Sequence, residues 1–335
     1  MSMQPDAAVS LLAPQRALAA QLPREGEDGL FSQSWFPICL STDVAPGQVR
    51  GYQFLDGRVV VVRGEDGRAR VMSAYCPHLG ADLSLGTVAG STVRCAFHHW
   101  RYDDAGRCIA TGPGDPPPPN ARLFRFPTEE RYGLVWAFNG LEPLFDIPGF
   151  GVPDDELIWR TEQYRVDFAI DPWVICCNTP DVQHIRVVHR IAFDSADPGA
   201  AADWTPHSMF FDANGTHAHG ERINFRVGIV GTTVFCQSGD YLGRWFGFNS
   251  PMCILAPGRT RLYLTVAVRK SEPEAERYLE EMMELERRVV SEDEDILQTI
   301  RFRPGTLTAT DRTLARFFDY LRRYPRAHPS REFIR

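Results

Sequence analysis

Cys76, His78, Cys95 and His98 are the residues of this chain best suited to redox chemistry. They stand as Cys76-Pro77-His78 and Cys95-Ala96-Phe97-His98, a C-x-H and a C-x-x-H separated by sixteen residues. Two thiolates and two imidazoles in two short arms suit a [2Fe–2S] cluster, with the cysteines on one iron and the histidines on the other. Neutral imidazole in place of thiolate reduces the negative charge of such a cluster and raises its potential, so it can pass single electrons under mild conditions. The competing reading is structural zinc, for which two Cys and two His are a common set. Zinc fingers usually put both cysteines in one arm and both histidines in the other; here each arm is mixed, which favours the cluster. Pro77 stiffens the first arm, and Gly80 and Gly86 allow turns. Tyr75, Leu79, Phe97 and Trp100 are placed to shield the cluster from water, and His99 is a spare, expected at the surface or behind the ligands.

A second constellation lies within Asn178-Thr179-Pro180-Asp181-Val182-Gln183-His184-Ile185-Arg186-Val187-Val188-His189. His184 and His189 can converge on one point, and Asp181 precedes the first of them by one helical turn. Non-haem Fe(II) sites that activate O₂ use two His and one carboxylate on one face of the metal and leave the other face open. The third ligand must come from elsewhere. Tyr278, Met282, Leu285, Val289, Ile296 and Ile300 form one stripe on a helix expected over 273–302. Asp293 lies at one edge of the stripe and Glu292 near the other, while Asp295 projects away. A carboxylate turned towards a core needs a partner, and a metal would supply one. The stripe alone leaves Asp293 and Glu292 both open. The plainer readings are that Asp293 meets water or an arginine, that the histidines cap or pack, and that Asp181 is a helix N-cap after Pro180.

These residues need elements to hold them. The chain has 335 residues, enough for two cores, with 44% hydrophobic and 24% charged residues. Its net charge of −7 argues against a nucleic-acid partner. The eight cysteines do not suggest a disulfide framework; Cys39, Cys108, Cys176, Cys177, Cys236 and Cys253 are scattered, and a reducing cytoplasm is the expected compartment. No apolar run is long enough to span a membrane, and the N-terminus lacks the features of a secretory signal.

The pattern predicts three regions: a tail over 1–33, with a short amphipathic helix or docking segment at 8–22, a small all-β domain over 34–142, and an α+β domain over 143–335. Val59–Arg63 and Ala69–Met72 read as a hairpin around Gly64-Glu65-Asp66-Gly67, and Gly133–Phe138 as a further strand. The four prolines of 114–120 forbid a central strand there. Residues 170–192 read as helical with a break at Thr179-Pro180, and 205–268 as strands carrying Phe210, Phe211, Phe225, Phe235, Trp245, Phe246 and Phe248. A second late helix is expected at 309–324. His207, His217 and His219 flank a turn expected at Asn214-Gly215 and are read as solvent-facing.

Taken together, C-x-H…C-x-x-H at 76–98, N-x-x-D-x-x-H-x₄-H at 178–189 and D-x-x-I at 293–296 make the chain resemble a Rieske non-haem iron oxygenase, the oxygenase component of a multi-component system. Within that family it is similar to the shorter α-only branch of ketosteroid hydroxylases and O-demethylating monooxygenases. The resemblance implies an α+β fold, with an all-β Rieske [2Fe–2S] domain joined to a helix-grip-like catalytic domain with an antiparallel sheet. It implies a [2Fe–2S] cluster on Cys76, His78, Cys95 and His98, and a mononuclear Fe(II) on His184, His189 and Asp293. Asn178 would stand beside that iron. Asp181 would bridge His184 of its own chain to His98 of a neighbour in a head-to-tail homotrimer. A separate NAD(P)H-dependent reductase or ferredoxin would supply electrons, since the chain shows no dinucleotide or flavin fingerprint of its own. O₂ would then be used to hydroxylate or demethylate an apolar or aromatic small molecule. Cis-dihydroxylation, a pure electron carrier and a small-molecule binder using the helix-grip cavity are the alternatives; the last two would need one metal motif or neither.

Overall fold

The computed structural model describes residues 22–303 and 307–335, so most of the expected N-terminal helix or docking segment lies outside the described residues. Every named strand pairing is antiparallel. The expected hairpin forms between Gly57–Arg63 and Ala69–Ser73, and Gln48–Phe54 joins it as a third strand. Its turn closes where Gly67 takes a φ of 77°, a backbone conformation glycine adopts without strain. A second three-stranded sheet orders Thr128–Arg131, Leu134–Phe138 and Trp35–Leu40. A third, of four short strands, runs Thr87–Ala89, Thr92–Arg94, Arg101–Tyr102 and Cys108–Ala110. The proline-rich stretch 114–120 contributes no strand.

The larger part is one long sheet in spatial order Leu157–Phe168, Arg259–Arg269, Arg244–Ala256, Val234–Tyr241, Arg222–Val230, Ser208–His217 and Ile191–Phe193, with Asp203–Trp204 also pairing on Ser208–His217. Helices α1 (Pro172–Cys176) and α2 (Val182–Val187) precede most of it, and α3 (Ala275–Thr299) and α4 (Arg312–Arg323) follow it. The helix α3 lies against Arg259–Arg269 and Leu157–Phe168. Its Tyr278, Leu279, Met282, Met283 and Leu297 enter the same core as Phe211, Phe225, Phe246 and Phe248 of the sheet. This is the α+β, helix-on-sheet arrangement that the order of elements predicts.

Three sequence expectations are corrected. The stretch 170–192 has a short helix on each side of the expected break at Thr179-Pro180, but its end is not helical: Ile191–Phe193 is a strand on Ser208–His217. Asn214-Gly215 is mid-strand, opposite Asn224 and Ile223, not a turn. Glycine is required at 215 for room, because a Cβ there would come 2.6 Å from the Ala192 carbonyl oxygen. The apolar stripe of α3 ends on buried Leu297, whereas Ile296 is 52% exposed.

A second core joins the two parts. Trp35, Phe36 and Ile38 pack in one cluster with Val234, Ile254 and Tyr263 of the long sheet. The Tyr263 hydroxyl donates to the Ile38 carbonyl at 3.3 Å, and the Ser34 and Thr233 hydroxyls lie 2.8 Å apart. Asn139 ties the chain ends together: its amide nitrogen donates to the carbonyls of Phe31, Ser32 and Ala327.

Candidate functional site: two metal centres and a cavity

The first centre is built by two loops of the same design. Cys76 N–H donates to the Ala81 carbonyl at 2.9 Å, and Gly80 N–H returns to the Cys76 carbonyl at 2.8 Å. Cys95 N–H donates to the Trp100 carbonyl at 2.9 Å, and His99 N–H returns to the Cys95 carbonyl at 3.2 Å. The fifth residue of each loop has positive φ: Gly80 at 75° and His99 at 58°. His99 is therefore the turn residue equivalent to Gly80, a role that reading it as a spare histidine misses. Gly86 has an ordinary φ of −78° and is needed for space instead, since a Cβ would lie 2.3 Å from the Arg94 carbonyl oxygen.

The loops bring the four expected residues together. Cys76 and Cys95 are buried, and the Nδ1 atoms of His78 and His98 stand 3.2 Å apart nearer the surface. Trp100 stacks on His78 with ring centroids 4.4 Å apart. Leu79 and Phe97, expected to shield the site, are 68% and 62% exposed, so they flank it as surface groups. The sequence reading missed Tyr102, whose hydroxyl lies 2.9 Å from Cys76 Sγ and can donate to it. Two buried sulfurs behind two convergent imidazole nitrogens fit a mixed-ligand cluster, with cysteines on the inner iron and histidines on the outer one.

The second centre joins α2 to α3. Asp181 caps α2 through Oδ1, which accepts the His184 backbone N–H at 2.9 Å. The cap reading is thus seen directly, and the ring-to-carboxylate hydrogen bond expected between Asp181 and His184 is not formed within the described chain. The short helix and the turn after it point His184 Nε2 and His189 Nε2 at each other, 3.0 Å apart. Asp293 of α3 completes the group, with Oδ1 3.5 Å from His184 Nε2 and Oδ2 3.6 Å from His189 Nε2. Asn178 donates to Asp293 Oδ2 at 3.1 Å, and Glu292 Oε2 lies 2.9 Å from His189 Nδ1. The choice that the stripe left open is resolved by geometry: Asp293 faces both imidazoles, and Glu292 sits behind one of them.

Asp293 Oδ1 is buried and makes no hydrogen bond among the described residues. A buried carboxylate oxygen without a partner is costly, and two imidazole nitrogens facing it offer lone pairs as well as protons. Those three groups fit a divalent cation of the two-His-one-carboxylate kind. Burial lowers the His184 pKa. His189 also suffers burial, but Asp293 and Glu292 outweigh it and hold its pKa up. A proton on Nδ1 shared with Glu292 leaves His189 Nε2 free to bind metal.

The triad opens into a cavity of about 780 Å³ between α3 and the sheet. Small-molecule sites usually span ~300–1,000 Å³. Of the aromatics read from sequence, Phe225, Phe235, Phe246 and Phe248 line it, whereas Phe211 is packed in the same core behind the wall and Phe210 and Trp245 pack in other clusters. His217 and His219, expected to face solvent, are among the lining residues, because the strand Ser208–His217 runs further than the turn reading allowed. The sequence also gave no hint of Gln237 and buried Glu286 in its wall.

The model of the Rieske [2Fe-2S] domain matches residues 34–127. Cholesterol 7-desaturase nvd of Bombyx mori is 33% identical over 187 residues, 54% of this chain and 39% of that protein. Aminopyrrolnitrin oxygenase PrnD of Pseudomonas fluorescens is 35% identical over 187 residues, 52% of this chain and 50% of that one. The chain thus spans half or less of the length of these curated relatives. The structure of Pseudomonas putida NdmA with caffeine superposes with a TM-score of 0.69 at 23% identity, covering 86% of this chain and 89% of that one, which shows a shared fold. Across the described residues, no helix is long and apolar enough to cross a membrane. The cluster loops lie inside the matched segment, so the chain carries a Rieske [2Fe-2S] domain, and beyond that segment it shares its fold with NdmA.

Proposed function

We propose that this protein is the terminal oxygenase component of a multi-component system, hydroxylating or oxidatively demethylating an apolar or aromatic small molecule. The observation that carries the reading is the Asp293 carboxylate, its Oδ1 orphaned and its two oxygens each facing one imidazole Nε2, at the end of an aromatic-walled cavity. Fe(II) held by His184, His189 and Asp293 would supply the open coordination positions at which O₂ is activated, with electrons arriving through the Rieske cluster. The chain's own residues position those groups. Glu292 fixes the His189 ring, Asn178 holds one Asp293 oxygen, and Asp181 anchors the start of α2, so His184 is delivered from a capped helix. The phenylalanine walls keep water from the reacting face and hold the substrate by its apolar surface. The substrates after which these relatives are named, cholesterol and aminopyrrolnitrin, and the caffeine bound to NdmA are mostly apolar or aromatic ring systems, in line with these walls.

Electrons come in this reading from a separate NAD(P)H-dependent reductase or ferredoxin, in a cytoplasmic setting. The domain division is a Rieske unit over 34–142 and a catalytic unit over 143–335. The active form is a homotrimer, in which Asp181 of one subunit meets His98 of the next. Exposed Leu79 and Phe97 beside the cluster, and Val187 at 76% exposure on α2 beside the triad, support such a docked arrangement.

The test is iron and sulfide analysis with low-temperature EPR on anaerobically purified, dithionite-reduced protein. The expected result is a rhombic signal of low average g with about three irons and about two sulfides per chain. His184→Ala should keep the cluster signal and lose about one iron. About two irons in the native protein, with no uptake of added Fe(II), would reduce it to an electron carrier, and zinc without sulfide would refute the reading from its first step.

A further inference from the structure

One polar pair in the cavity is left unused by this chemistry. Glu286 lies on α3 seven residues before Asp293, two turns away on the same face. It lines the cavity although it is only 4% exposed. Its Oε1 accepts from Gln237 Nε2 at 3.3 Å, and no protein group among the described residues hydrogen-bonds Oε2. Gln237 belongs to the strand Val234–Tyr241, whose alternation puts Phe235, Gln237 and Tyr241 on the cavity side. Phenylalanines make up much of the wall around the pair.

Burial pushes the Glu286 carboxyl up to about 8, with His189 and Gln237 only partly opposing that rise. Near neutral pH the group is therefore mostly a neutral acid. Gln237 already donates to Oε1, so the acid's own O–H is left to donate into the cavity. A donor in an apolar enclosure calls for an acceptor on the occupant.

We propose that Glu286 and Gln237 form a polar anchor that receives a carbonyl oxygen of an otherwise apolar substrate and so sets which carbon faces His184, His189 and Asp293. The inference rests on the cavity being the substrate site. A ring system that lacks the carbonyl, or enters reversed, leaves the buried acid unpaired, which is how hydrogen-bonding pockets reject close analogues. Glu286 and Gln237 are positioning residues; neither holds iron.

The experiment is equilibrium dialysis of the cluster- and iron-loaded protein against two matched pairs, fluorenone with fluorene and androstanone with androstane. The native protein should bind the ketone of at least one pair about tenfold or more tightly than its hydrocarbon. Glu286→Leu should abolish that preference, and Glu286→Gln, which keeps an N–H donor, should retain part of it. Visible circular dichroism of the cluster checks that each variant is folded. No ketone preference in the native protein for either pair, or a preference that survives Glu286→Leu, overturns the anchor. Iron and sulfide content of the same samples separates the two readings: loaded metal without ketone preference defeats the anchor alone, whereas failure to load iron defeats the oxygenase reading.

Discussion

At the scale of single residues, the two centres differ in how they are tuned. Tyr102 is the only side chain seen to hydrogen-bond a cluster sulfur among the described residues. A donor to a thiolate stabilises the more negative, reduced cluster. Tyr102→Phe should therefore lower the midpoint potential while leaving the cluster assembled. A redox titration followed by visible circular dichroism reads this, and an unchanged potential would remove Tyr102 from the tuning. At the second centre, Glu292 fixes the ring of His189 from behind. Such outer partners typically contribute about 10–100-fold to metal affinity. Glu292→Ala should weaken Fe(II) uptake by that order and leave the cluster EPR signal unaltered; equal Fe(II) affinity in the variant would show that the ring is held by packing alone.

At the scale of elements, α3 carries the carboxylate of the candidate metal centre and also a buried acid that destabilises the fold. Glu286 has its pKa raised from 4.5 to about 8, chiefly by burial. Below the unfolded value both states hold the proton, and burial costs nothing extra. Between about 4.5 and about 8 the unfolded chain releases the proton and the folded chain keeps it, so native stability falls as pH rises. Glu286→Gln removes that titration. The variant should gain melting temperature over the native protein by more at pH 8 than at pH 5, and a pH-independent difference would mean the acid is ionised in the fold. The short helix α2 shows a different economy. With six residues it has little stability of its own, and the Asp181 cap and Gln183's hydrogen bond to Asp311 hold it in place.

At the scale of the whole molecule, the cluster-bearing sheets and the long sheet share a hydrophobic core through Trp35, Phe36, Ile38, Val234, Ile254 and Tyr263. Asn139 fastens the strand Phe31–Ser32 and the C-terminal Ala327 to the end of Leu134–Phe138. Asn139→Ala would strip a donor from three carbonyls and should cost about 2–4 kcal/mol in urea unfolding; a loss below about 0.5 kcal/mol would mean water replaces it. Because the core is shared, both parts should melt together, with the cluster's visible signal and the far-ultraviolet signal lost in one transition. Assembly is a separate matter at this scale. If trimers dock through the apolar groups beside each centre, Val187→Glu should shift sedimentation from trimer to monomer, while a native protein that sediments as a monomer would contradict the assembly itself.

The candidate metal-binding residues were largely legible from the sequence because ligation demands fixed residue types, and all but Asp293 come in local pairs. Cys76 with His78, Cys95 with His98, and His184 with His189 each lie within a few residues, so spacing alone announces them. The hairpins and α3 were legible for the same reason, since period and turn residues are local properties. Tertiary structure alone decided the rest. Asp293 and Glu292 are neighbours with the same chemistry, and only the rotation of α3 on the sheet turned one to the imidazoles and the other behind His189. Asn214-Gly215 carries a turn signature, yet pairing on both sides drew it into a strand and brought His217 to the cavity wall. Tyr102, Gln237 and Glu286 bear no motif at all. Their roles arise from contacts between residues 26, 49 or more positions apart, and long-range proximity of that kind is written in packing and not in sequence spacing.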